Sequence, residues 1–187
     1  SRGLGDVYKR QDVDCILHFD TLLKMMDVVL NSKHRCIGVG ATLRMSNASI
    51  INRGTLVQVN ASKNLLVRFQ ELEYIRSFVL GKVAWSQINA VPNISGGLGL
   101  FDKDIVMKIG GYDKSSLGED MDLVFRMVKY MHDQNLKYSI IHIPETLCWT
   151  EGPDNLKILV RQRIRWSRGL LQILRKNRKV FFTPKPN

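Results

Sequence analysis

The chain has 187 residues, 44% of them hydrophobic, which is enough to bury one core and excludes a disordered tail. Its formal net charge of +11 is concentrated at the C-terminal end, where residues 155–187 hold ten Lys and Arg and no acid. The three cysteines, Cys15, Cys36 and Cys148, have neither C-x-x-C spacing nor a His partner, which excludes a zinc site and a disulfide framework and implies reduced thiols.

Residues 1–11 show neither helical nor strand periodicity and resemble a translated sequencing-adapter string. They are expected to lie outside the fold, with the natural protein extending upstream of Asp12. Asp12 and Asp14 then stand at i and i+2 beside the short apolar run 15–17. Two carboxylates at that spacing, just past a strand end, can share a divalent cation that also holds a diphosphate. The plainer alternative is a polar turn between strand and helix. Asp20 is placed as the cap of an amphipathic helix at residues 21–30. Residues 36–45 are expected to form a buried strand and 55–60 a second, joined through a turn at Arg53 and Gly54. Leu65, Leu66, Phe69, Leu72, Ile75, Phe78 and Val79 keep a helical period, so a long helix ending near Gly81 is expected to pack into the core. Lys82 interrupts the apolar run 78–85, and no run reaches the ~18 residues of a membrane span.

Residues 94–101 read as a glycine-rich strand, where missing side chains allow a ligand or another backbone to approach. The stretch matches neither G-x-G-x-x-G nor a P-loop, which argues against nucleotide binding by those routes. Asp102 caps a short helix to Lys108, and Gly110 and Gly111 stop it. The next helix opens on Glu119, Asp120 and Asp122, packed against the apolar repeat Leu123, Val124, Met127, Val128 and Met131. Glu119 and Asp120 thus sit on its first turn. They either cap the helix and complement its dipole or present a general base in a cleft.

Residues 137–143 alternate as a strand that ends at Pro144, and 145–152 read as a loop, with His142 a packed or exposed residue. A last helix runs from Pro153 and Asp154 to about Leu174. On it Gln162, Arg165 and Trp166 lie at i, i+3 and i+4 and share one face. A guanidinium there can neutralise a leaving diphosphate, and an indole can stack on a sugar ring. The alternative is a basic helix that packs its Trp into the core. The basic run itself suits nucleic acid, an anionic membrane surface or a phosphorylated substrate.

In this order and at these intervals, the Asp-x-Asp, Gly-Glu-Asp and Gln-x-x-Arg-Trp motifs resemble those of the membrane-associated family 2 glycosyltransferases, which include cellulose, chitin, hyaluronan and poly-N-acetylglucosamine synthases. The resemblance runs from Asp12 to the C-terminus. It implies an α/β fold of the GT-A type (Rossmann-like, nucleotide-diphospho-sugar transferase), of which this chain is the C-terminal portion. Residues 12–153 would be the GT-A core, and 154–187 a basic amphipathic acceptor-side helix and juxtamembrane segment. The implied reaction is an inverting transfer from a UDP-sugar donor to the growing end of a glycan acceptor, with Mg or Mn as cofactor. It would take place at the cytoplasmic face of the membrane, anchored by helices outside this chain. A non-processive transferase acting on a lipid or short glycan is the alternative.

Carried over by residue, the resemblance has Asp12 and Asp14 hold the metal and diphosphate. Asp120 is the base that takes the acceptor proton, and Glu119 supports it. Gln162 and Arg165 contact the diphosphate, while Trp166 and Glu151 meet the acceptor. With the uridine-binding half outside the chain, this fragment alone is expected not to turn over. The rival of a different class, a basic nucleic-acid-binding module, leaves Asp12, Asp14, Glu119 and Asp120 unexplained, so nucleic acid is not expected as a partner.

Overall fold

The structure, a computed structural model, describes residues 4–178; Lys179 and Lys185 of the basic run lie outside them. In chain order the strands are β1 (Val7–Gln11), β2 (Ile16–Leu17), β3 (Arg35–Met45), β4 (Ile50–Asn52), β5 (Thr55–Gln58), β6 (Leu98–Asp102) and β7 (Tyr138–Thr150). The helices are α1 (Thr21–Leu30), α2 (Leu65–Tyr74), α3 (Val83–Gln87), α4 (Lys103–Lys108), α5 (Glu119–Asp133) and α6 (Leu156–Lys176), and a π-helical segment, Ile75–Lys82, joins α2 to α3.

Five strands form one sheet in the order β1-β6-β3-β7-β2. Its centre is β3, whose residues 36–43 are all buried, as a near-continuous apolar run requires of a strand covered on both faces. It pairs parallel with β7 and antiparallel with β6. One face of the sheet is covered by Met25, Met26 and Val29 of α1 together with Phe78, packed with Val39, Ala41 and Leu43 of β3. The other is covered by Ile105 and Val106 of α4 and by Leu123, Val124, Met127 and Met131 of α5. The apolar repeat read from the sequence is therefore the buried stripe of α5, and each such side chain contributes about 1.5–3 kcal/mol by leaving water.

Four expectations change. Residues 7–11 are not outside the fold: they pair with β6 from Val7 opposite Asp102 to Gln11 opposite Leu98. Their side chains alternate too weakly to signal a strand, because an edge strand buries little of either face. Strand β7 does not stop at Pro144 but runs on to Thr150, with register shifts against β3 on either side of Thr42. A bulge is where a sheet tolerates a residue without an N–H, so the proline interrupts the ladder and not the strand. Helix α2 continues through the π segment into α3 beyond Gly81, and Leu65, Phe69 and Leu72 are exposed, leaving Val67 and Phe78 to pack. The turn at Arg53 and Gly54, both with positive φ, joins β4 to β5 in a separate hairpin and does not link β3 to β5.

Capping follows the sequence at α4, where the Asp102 carboxylate accepts from the Ile105 N–H at 3.1 Å, but not at α1. Asp20 stands at the N-cap of α1 without a capping bond, its carboxylate being taken by His18 and by Lys24.

Candidate active site

Asp12 and Asp14 lie on the turn between β1 and β2, beside the C-terminal ends of β3 and β7, the end of parallel strands where α/β sheets form ligand crevices. The Asp12 N–H donates to the Gly97 carbonyl at 3.4 Å, which holds this turn against the glycine-rich entry to β6. A Cβ on Gly97 would come within 2.6 Å of Leu43 and 3.2 Å of the Cys15 sulfur, so the glycine is needed for the turn to sit this close. Thr150 Oγ1, at the end of β7, donates to Asp14 at 3.3 Å. Burial holds the Asp12 carboxyl above the usual carboxylate range, aided by the charges of Asp14, Glu119 and Asp120 and opposed by Arg10, whose guanidinium is 3.7 Å away.

The opening turn of α5 faces these acids. Gly118 is its N-cap, and no side chain caps it. Glu119 is hydrogen-bonded to Arg10. Asp120 accepts from the Met121 N–H at 2.8 Å and from the Asn93 side-chain amide at 3.4 Å. Asp122 is turned into the protein, 1% exposed, and accepts from Arg126 Nε at 2.6 Å. The same guanidinium donates to the carbonyls of Ile109 and Gly111, so Asp122 belongs to the packing of the Gly110–Gly111 turn while Asp120 faces the cleft.

Helix α6 forms the facing wall. Its docking is tight: a Cβ on Gly169 would lie 2.7 Å from the Gly118 nitrogen. Gln172 accepts from the Leu117 N–H at 2.9 Å and donates to the Ser115 carbonyl at 3.1 Å. Trp166 is 40% exposed and so is not a core residue. Arg163 lies over its ring at 4.4 Å and donates to Glu73 at 2.7 Å.

These elements enclose a cavity of about 540 Å³. Asp12, Asp14, Glu119, Asp120, Glu151, Gln162, Arg165 and Trp166, the full set named from the sequence, all line it. Arg10, Lys82, Asn93 and Arg163 line it as well, without a motif in the sequence that marks them. Arg10 lies in the segment that resembles an adapter string, and Asn93 carries no local signal. Lys82 did leave one, as a charge in an otherwise apolar run.

Asp12 and Asp14 supply hard carboxylate oxygens beside a space large enough for a diphosphate. Among the described residues no group of three or more His, Cys, Asp or Glu forms a closed cage. A pair of carboxylates open to substrate fits Mg2+ or Mn2+, which take one or two carboxylates and complete their shell with water and phosphate oxygens.

Residues 33–184 match the family model described as Glycosyl transferase family group 2. The chain is 32% identical over 127 residues to the Bacillus subtilis (strain 168) protein named Probable glycosyltransferase YdaM, covering 66% of this chain and 28% of that protein. It is 27% identical over 117 residues to the poly-beta-1,6-N-acetyl-D-glucosamine synthase of Staphylococcus epidermidis, covering 63% of this chain and 27% of the synthase. The chain thus spans less than a third of the length of either relative. Among solved structures it is similar to the mannosyltransferase PcManGT from Pyrobaculum calidifontis in complex with GDP-Man and Mn2+. The TM-score is 0.63 at 16% identity, over 97% of this chain and 41% of that one. The likeness shows that the α/β fold is of the GT-A type.

Proposed function

The chain belongs to glycosyl transferase family group 2, and we propose that it carries the reaction centre of an inverting transferase that moves a sugar from a UDP-sugar to the growing end of a polysaccharide. One observation carries this reading: acids from the β1–β2 turn, the first turn of α5 and the polar face of α6 line a single cavity. Asp12 and Asp14 would hold Mg2+ or Mn2+, and when bound the ion supplies Lewis-acid neutralisation of the diphosphate as it leaves. Gln162 and Arg165 face that diphosphate from α6, the guanidinium as a charge-matched, forked donor. Asp120 takes the proton of the acceptor hydroxyl, which attacks the anomeric carbon opposite the leaving group, so the configuration inverts. Glu119, tied to Arg10, keeps a second carboxylate beside the base. Trp166 offers its partly exposed ring, and Glu151 its carboxylate, to the acceptor.

The relative named as a poly-beta-1,6-N-acetyl-D-glucosamine synthase supports a polymeric product and an N-acetylglucosamine donor. The GDP-Man complex of the structural neighbour makes the base of the nucleotide the choice to be tested. No helix among the described residues is long and apolar enough to cross a membrane. Association with the cytoplasmic face of the membrane is supported by α6, where Ile164 and Leu171, seven residues apart on one face, are exposed on a helix rich in arginine.

The test has two arms. Calorimetric titration of the complete protein, purified in detergent, with UDP-N-acetylglucosamine, UDP-glucose and GDP-mannose, with and without Mn2+, should give metal-dependent binding of a UDP-sugar. Membranes of cells expressing the complete reading frame should incorporate the same sugar into polymer. Metal-independent binding, or no binding of any nucleotide sugar, overturns the proposal.

A further inference from the structure

Lys82, the last residue of the π-helical segment, is 6% exposed. Its ammonium lies over the Phe78 ring, 4.4 Å from the centroid, and no group among the described residues hydrogen-bonds or ion-pairs with it. Such an amine is costly to keep in a fold. Burial pushes it down to about 8, with only the Asp120 charge acting against that shift. A methionine would fill the same volume at lower cost, so packing does not account for a lysine. The backbone is also unusual here, since π-helical turns are rare and gather at functional sites.

Lys82 lines the main cavity and also a second one of about 530 Å³, bounded by Arg76, Ser77, Trp85, Pro92 and Asn93. Ser77, Lys82 and Asn93 wall both spaces, and Asn93 is the residue whose amide reaches Asp120. The second cavity therefore adjoins the main one, where Asp120 lies, across a shared wall that includes the residue bonded to the base. Its walls combine a half-exposed indole, an amide, a hydroxyl and two cations. A ligand that gives a hydroxyl proton to Asp120 in the main cavity and accepts from Lys82 at the wall shared by both spaces carries several oxygens along its length, as a saccharide does. The flat face of Trp85 suits the apolar face of such a ring.

We propose that this second cavity is a saccharide subsite on the acceptor side of Asp120, with Lys82 Nζ donating to a sugar oxygen and Trp85 providing the stacking surface. The proposal rests on reading Asp120 as the base that receives the acceptor hydroxyl.

The test uses the complete protein, with its uridine-binding half, labelled with 13C at the lysine ε-carbon, the Lys82 resonance being identified by its loss in Lys82→Met. Neutral trisaccharides of glucose and of N-acetylglucosamine are titrated in, and UDP with Mn2+ separately. The trisaccharide should move the Lys82 resonance. Lys82→Met and Trp85→Ala should each weaken its binding by about tenfold or more, and Lys82→Arg should restore part of the loss. Lys82→Met should also raise the melting temperature by roughly 2–4 °C, since it removes an unpaired buried charge. Saccharide binding that leaves the Lys82 resonance unmoved, or a Lys82→Met protein that melts lower, overturns the subsite. If UDP with Mn2+ binds and no trisaccharide does, the subsite falls and the donor site stands. If neither binds, the transferase reading fails and takes the subsite with it.

Discussion

The backbones of Gly118 and Gly169 are in direct contact: a Cβ on Gly169 would lie 2.7 Å from the Gly118 nitrogen and 2.9 Å from its Cα. This contact sets the distance between the first turn of α5, which carries Asp120, and α6, which carries Gln162, Arg165 and Trp166. Both neighbours of the missing methyl are main chain, so neither can rotate away. Gly169→Ala should destabilise the fold by about 1–3 kcal/mol through overpacking. It should also weaken nucleotide-sugar binding, although the residue touches no ligand. Urea unfolding and calorimetry on the same protein measure both effects, and an alanine variant equal to the parent in both would show that α6 does not depend on this contact.

The acids of the β1–β2 turn and the acid of α5 should separate by what they lose. Asp14→Ala should abolish the Mn2+ dependence of nucleotide-sugar binding and lower affinity in Mn2+ by about tenfold or more. Asp120→Asn should keep that binding and abolish transfer in the complete protein, because an amide cannot take the acceptor proton. Chelation of the metal should reproduce the Asp14→Ala loss in the parent and add nothing to the variant.

Asp120 and Asp122 are two residues apart, yet their variants should behave oppositely. Asp122 is 1% exposed and bonded to Arg126, whose side chain is 22% exposed and keeps the carbonyls of Ile109 and Gly111, so Asp122→Ala removes one charge-assisted bond and should cost about 1.5–3 kcal/mol. Asp120 faces the cavity, and Asp120→Asn should stay within about 0.5 kcal/mol of the parent. Thermal melts of the two proteins side by side test this assignment.

His142 predicts an acid-sensitive fold. It is 4% exposed, packed against Phe78, and burial followed by the Lys82 charge pushes its ring down from 6.5 to about 3. Between those values the unfolded chain binds a proton that the folded one does not. Stability should therefore be complete above about pH 6.5 and fall as the pH drops toward 3, by roughly 3 kcal/mol between pH 7 and pH 4. His142→Leu should flatten this part of the profile. Urea midpoints across the range measure it, and an unchanged slope in the variant would assign the acid loss to other groups.

Local patterns carried much of this protein's description. The α5 stripe from Leu123 to Met131 was legible because a 3.6-residue period needs no knowledge of what covers it. The cap at Asp102 was equally local. By contrast, the apolar positions Leu65, Phe69 and Leu72 keep the same period and yet stand exposed, since periodicity says which residues share a face and not whether anything packs on it. Strand β1 and the passage of β7 through Pro144 were missed for a related reason, as both depend on a partner strand distant in sequence.

The sequence by itself determined the family, the types of element and the eight side chains with chemistry to offer, because motif spacing and amphipathic period are properties of the chain alone. Only the tertiary structure decided that the turn at Asp12 and Asp14, the start of α5 and the polar face of α6 line one cavity. It also decided which acid of the 119–122 cluster faces that cavity and which is buried against Arg126. The physical reason is that cleft and core are defined by contacts between elements far apart in the chain, which no local pattern encodes. Two glycines, 118 and 169, must meet backbone to backbone before Asp120 has anything to face.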